Sequence, residues 1–84
     1  MTYSVSLRRD AIKSLEEINE PYYSKIKIVL YGLTINPRPT GSIKLKGRNA
    51  YRIRVSNYRI IYTISDNILT IEIIGIGHRK DIYD

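Results

Sequence analysis

The chain has 84 residues, enough for one domain with one core, and carries fourteen Lys and Arg against eight Asp and Glu, a formal charge of +6. The absence of cysteine excludes disulfides, thiolate metal sites and thiol nucleophiles together, and fits a reducing compartment. Met1 to Val5 lack the basic-then-apolar layout of a secretory leader, and no apolar run approaches the roughly 20 residues that cross a bilayer. The expectation is a small cytoplasmic domain without a membrane segment. Its basic excess favours a polyanionic partner, because each phosphate neutralised by Lys or Arg releases counterions. Eight tyrosines stand where Phe and Trp are missing, to serve as core material with a polar tip or as stacking platforms.

Tyr3 to Leu7 alternate in polarity and read as a short strand. From Arg9 to Ile18, Ala11, Ile12, Leu15 and Ile18 recur at helical spacing, and Asn19-Glu20-Pro21 interrupts the chain. Pro21 suits the first turn of a second helix, where a missing N–H costs nothing. In that helix Ile26, Val29, Leu30 and Leu33 form one stripe, and Asn36-Pro37-Arg38-Pro39 ends it. The short link predicts an antiparallel helical hairpin with a shared apolar face. Ser42 to Arg48 is basic and Gly-flanked, a loop or a ragged edge strand.

From Tyr51 the period becomes two. Strands are predicted over 51–55, 58–65 and 68–76, joined by the two-residue turns Ser56-Asn57 and Asp66-Asn67. The fold class is therefore α+β, with an N-terminal strand and helical hairpin packed on one face of a C-terminal antiparallel meander, residues 1–84 forming a single domain.

Tight hairpins fix register, so they also specify neighbours. If Val55 pairs with Tyr58, Arg54 faces Arg59 and Tyr51 faces Tyr62; if Ser65 pairs with Ile68, Tyr62 faces Ile71 and Ile60 faces Ile73. The core face then carries Tyr51, Ile53, Val55, Tyr58, Ile60, Tyr62, Ile64, Leu69, Ile71 and Ile73. The opposite face carries Arg52, Arg54, Arg59, Ile61, Thr63, Thr70, Glu72 and Ile74. Opposed arginines repel by a share of the roughly 0.2–1 kcal/mol of a cross-strand pair, so the pattern points to an anion between them. Arginine suits that task, since its planar fork grips phosphate oxygens bidentately and keeps its charge. Lys44, Lys46 and Arg48 extend the basic track. The tail Gly77-His78-Arg79-Lys80-Asp81-Ile82-Tyr83 adds the only histidine, whose unperturbed pKa lies near neutrality, and a tyrosine able to stack on a base.

Leu45-Lys46-Gly47, Tyr51-Arg52-Ile53-Arg54-Val55, Asn57-Tyr58-Arg59-Ile60-Ile61-Tyr62 and Ile76-Gly77-His78-Arg79-Lys80-Asp81-Ile82-Tyr83 resemble the RelE/ParE toxin superfamily, and the likeness spans essentially the whole chain. The resemblance implies a RelE-like fold, itself similar to that of small microbial ribonucleases. It further implies a toxin that enters the ribosomal A site and cuts mRNA there, held in check by a cognate antitoxin in a toxin–antitoxin hetero-oligomer. By position Arg52 and Arg54 match the family's basic pair, Arg59 the arginine of the following strand, Arg79 the arginine after the last strand and Tyr83 the terminal tyrosine. With His78 added from the residues themselves, Arg54, Arg59, Arg79 and Tyr83 are the expected catalytic group, and Arg52 with Lys44, Lys46 and Arg48 the expected RNA-binding residues. The resemblance implies neither metal nor cofactor. One departure bears on mechanism: the family's basic pair is commonly lysine, one of which is thought to act as general base, and arginine, with a pKa above about 12, is a poor proton acceptor. His78 and Glu72 are the candidate bases in its place. Two other readings stay open at this point: a ParE-like toxin that poisons DNA gyrase by binding, and a catalytically degenerate toxin that only binds its antitoxin.

Overall fold

In the computed structural model, which describes residues 2–78, the elements run β1 (Ser4–Leu7), α1 (Arg9–Glu16), α2 (Tyr22–Ile35), β2 (Ile43–Lys44), β3 (Tyr51–Val55), β4 (Tyr58–Ser65) and β5 (Thr70–His78). The strands form one sheet in the order β1-β5-β4-β3-β2. β1 lies parallel to β5, and every other pairing is antiparallel. Both helices cover one face, α1 over β5 and β1, α2 over β1 and β3. The α+β meander with its helical hairpin is thus as the sequence predicts, while the parallel seat of β1 at the sheet edge comes from the structure.

Helical periodicity buries Ala11, Ile26, Leu30 and Leu33 against Ile53, Val55, Ile60, Tyr62, Ile64, Ile71, Ile73 and Ile76. Each large apolar side chain so removed from water contributes about 1.5–3 kcal/mol. Ile12, expected on the inner side of α1, is instead 45% exposed: the helix closes on Ala11 and Leu15, and Ile12 rolls outward. Tyr62 is fully buried, its ring stacks on Tyr51 at 5.8 Å, and its hydroxyl donates to the Pro37 carbonyl at 2.9 Å. That bond ties the loop after α2 to the middle of the sheet.

The β3–β4 register is the one expected, Val55 opposite Tyr58 and Arg54 opposite Arg59, with Ser56 in the left-handed region at φ 55°. The β4–β5 register differs. Ser65 pairs with Thr70 rather than Ile68, because Asp66–Ile68 form a 3-10 turn and Leu69 takes φ 49°. Leu69, expected in the core, is spent on the turn. Asp66 is pinned from outside its own hairpin. Arg38 Nη1 and Nη2 donate to its two carboxylate oxygens at 3.2 and 2.9 Å, and the Tyr3 hydroxyl donates to Oδ1 at 2.6 Å. These donors hold the Asp66 carboxyl down at about 2, while the same carboxylate pushes the Tyr3 phenol up. Arg38 Nε also donates to the Tyr51 hydroxyl at 3.1 Å.

A shift of two residues preserves side-chain faces, so Ile71 and Ile73 stay in the core. Beyond them a bulge intervenes: Tyr62 pairs with Ile73 but Ile61 pairs with Gly75, leaving Ile74 extra. One extra residue inverts all that follows. Ile76 therefore turns into the core, and Gly75 and Gly77 turn to the opposite face.

Candidate nucleic-acid interface on the open sheet face

The face away from the helices carries Arg52 and Arg54 on β3 and Arg59 on β4. Arg54 is exposed and stands directly opposite Arg59. Arg59 is half-buried, has Gly77 on its other side, and its Nε is buried, as is that of Arg52. Arg52 lies opposite Ile61 and, across the other edge, Ile43. Two arginines with buried Nε atoms and a third that is exposed give a cationic surface, and Gly75 and Gly77 add no side chains to it beside Arg59. Such a surface can hold phosphate oxygens by charge-assisted pairs.

The segment between β2 and β3 shapes one border. The Leu45 N–H donates to the Ala50 carbonyl at 2.9 Å, closing a loop that swings Leu45 and Ala50 onto Ile61 and Ile74. This small second core buries Ile61 at 4% exposure, which corrects its expected place on an open face. Alternation alone does not reveal such a cover. Lys46 and Arg48 remain exposed on the loop that forms it. Lys44 is separated from them: it pairs with Tyr51 and so shares the helix-side face, at the sheet edge.

The candidate bases are not gathered with the arginines. His78 pairs with Tyr58, on the helix-side face, and its ring meets the Tyr58 ring edge-on at 5.7 Å. Without the bulge at Ile74, simple alternation would carry it to the face of Arg59. Glu72 does share the open face, but it pairs with Thr63, four residues along β4 from Arg59, roughly 13 Å at strand rise. Its carboxylate lies 3.4 Å from Arg8 Nε, an ion pair that sequence reasoning does not single out because Arg8 precedes α1 and reaches the sheet only through the parallel β1. Arg79 and Tyr83 lie outside the described residues. Among the described residues no three His, Cys, Asp or Glu gather as a metal-binding group, and no helix is long and apolar enough to cross a membrane.

The sequence and the fold both have known relatives. Residues 5–83 match the family described as the ParE toxin of type II toxin–antitoxin systems. The chain belongs to the RelE/ParE toxin superfamily. A RelE-like toxin protein of Escherichia coli is 30% identical to it over 89 residues, covering 100% of this chain and 93% of that protein. The RelE–RelB complex of the archaeon Pyrococcus horikoshii contains a chain superposing at TM-score 0.85 with 27% identity, over 98% of this chain and 100% of that one. A chain of the antitoxin–toxin complex of Methanococcus jannaschii superposes at 0.73 with 30% identity, over 93% and 94%. The RelE/ParE sheet in this chain thus presents its arginines from the β3–β4 hairpin, the stretch whose register a two-residue turn specifies most tightly.

Proposed function

We propose that this RelE/ParE chain is an endoribonuclease toxin that cuts mRNA in the ribosomal A site and so acts in the cytoplasm. The observation that carries the reading is the cross-strand placement of Arg54 beside Arg59 on the sheet face away from the helices, which gathers guanidinium groups where phosphate oxygens can be held. In the reaction the RNA 2′-OH gives its proton to water and its oxygen attacks the adjacent phosphorus, while the bond to the 5′ oxygen breaks and that oxygen takes a proton from water, leaving a 2′,3′-cyclic phosphate and a free 5′-OH. Arg54 and Arg59 stabilise the charge that grows on the phosphoryl oxygens, fixed electrostatic help that is worth about 3–4 kcal/mol per donor in comparable sites. Arg52, Lys46 and Arg48 hold the RNA backbone. Arg79 supports the leaving 5′ oxygen and Tyr83 stacks on a base.

The partner in this reading is an antitoxin, as in the archaeal relatives whose structures are toxin–antitoxin complexes. Ile28, Tyr31 and Ile35 form an apolar stripe along α2, each at least 70% exposed, beside a groove of about 230 Å³ between α2 and β1. An amphipathic antitoxin segment covering that stripe fits the pattern of a helix laid in a groove.

The decisive experiment expresses wild type and Arg59→Ala and maps mRNA ends by primer extension. Cuts in ribosome-bound mRNA that weaken at least about 100-fold in Arg59→Ala support the reading; cuts of equal strength overturn it. The second reading, a ParE-like toxin that acts on DNA gyrase by binding, is favoured by the ParE description of the matching family. DNA damage with intact mRNA is its signature.

A further inference from the structure

β1 stops at Leu7, opposite Ile73, and the chain leaves the sheet through Arg8, whose N–H donates to the Ile73 carbonyl at 3.0 Å. β5 runs on. From Ile74 to Gly77 it has β4 on one side and, among the described residues, no strand on the other. Every second residue of an uncovered strand turns its N–H and C=O outward, a template for another chain. Along that same stretch a cavity of about 490 Å³ opens between α1 and the sheet. Asp10 and Ser14 of α1, with Glu17 and Ile18 just after it, wall the cavity, Gly75 to His78 of β5 floor it, and Tyr58 closes one end. Asp10 and Ser14 stand four residues apart and so share one face of α1. Two of the four wall residues are exposed carboxylates on a chain of net charge +6, and neither is in an ion pair among the described residues.

We propose that this groove receives an extended, lysine- or arginine-bearing segment of a partner chain, which adds a strand beside Ile74–Gly77 and sets its cationic side chains on Asp10 and Glu17. Backbone geometry selects an extended occupant, since strand addition needs about 4.8 Å spacing and a helix cannot approach an edge that closely. Charge selects a basic one, because an acidic segment would be repelled by the wall. The stretch between the last β1 pair and His78, Ile74 to Gly77, is four residues or roughly 13 Å and sets the span. The arginines lie on the other face of the sheet, so this site and the RNA face can be filled together, and the inference does not rest on nuclease activity.

The test titrates an alternating lysine–valine hexapeptide into the isotope-labelled full chain and follows backbone amides by NMR. Expected are shifts at Ile74 to Gly77 and along α1, slowed hydrogen exchange in β5, and affinity roughly tenfold lower in the Asp10→Asn, Glu17→Gln double variant, whose exposed substitutions leave the melting temperature in place. A hexapeptide N-methylated at alternate residues should fail to bind. Equal binding of a glutamate–valine hexapeptide, shifts confined to α2 or the arginine face, or full affinity in the double variant would overturn the proposal.

Discussion

Arg54 and Arg59 stand opposite one another across the β3–β4 hairpin, the first in solvent and the second with its Nε buried. Two like charges in this relation cost stability that a β-branched neutral residue recovers. Arg54→Thr is therefore expected to raise stability by a few tenths of a kcal/mol, about 1–4 °C in Tm, while mRNA cutting falls by roughly 100-fold. Calorimetry and primer extension on the same preparation check both halves. A loss of Tm would mean that the arginine pair is not under electrostatic tension.

His78→Ala and Glu72→Gln should each leave mRNA cutting within a few-fold of wild type. His78 faces Tyr58 on the helix side, and Glu72 is engaged by Arg8 at the far end of the sheet. A large loss of rate in either variant, with Tm unchanged, would put that residue at the reacting phosphate after all.

Tyr62→Phe removes one oxygen and leaves the Pro37 carbonyl without its buried donor. The ring still stacks on Tyr51, so the cost is that of the hydrogen bond and the stranded acceptor, about 1–2 kcal/mol or roughly 5–15 °C in Tm. Thermal denaturation measures it directly.

Acid should loosen the fold at Asp66. Its carboxyl sits at about 2 in the folded chain against 3.8 unperturbed, so its contribution is complete above about pH 4 and disappears as the pH falls through about 2. The Tm gap between wild type and Asp66→Asn should close over that interval, and should narrow in high salt because both partners are exposed. Tyr3 gives the alkaline counterpart: its phenol is raised, so its share is present below about pH 10 and is lost as the pH rises beyond.

Local periodicity and turn chemistry determined the two helices, the meander, and the register that puts Arg52, Arg54 and Arg59 on one face, because a two-residue turn leaves β3 and β4 a single way to pair. Nothing local set the β4–β5 connection. Its register follows from Asp66 being held by Arg38 and Tyr3, residues far away in the chain. The bulge at Ile74 exists only against β4, and it alone decides that His78 turns to the helices rather than to the arginines. Likewise Ile61 reads as exposed by alternation and is buried by a loop that folds over it from the other strand edge. The sequence by itself thus determined where the positive charge gathers. The tertiary structure decided what stands beside it, since a side chain's face depends on the parity of every residue between it and the nearest turn, and a single bulge reverses that parity.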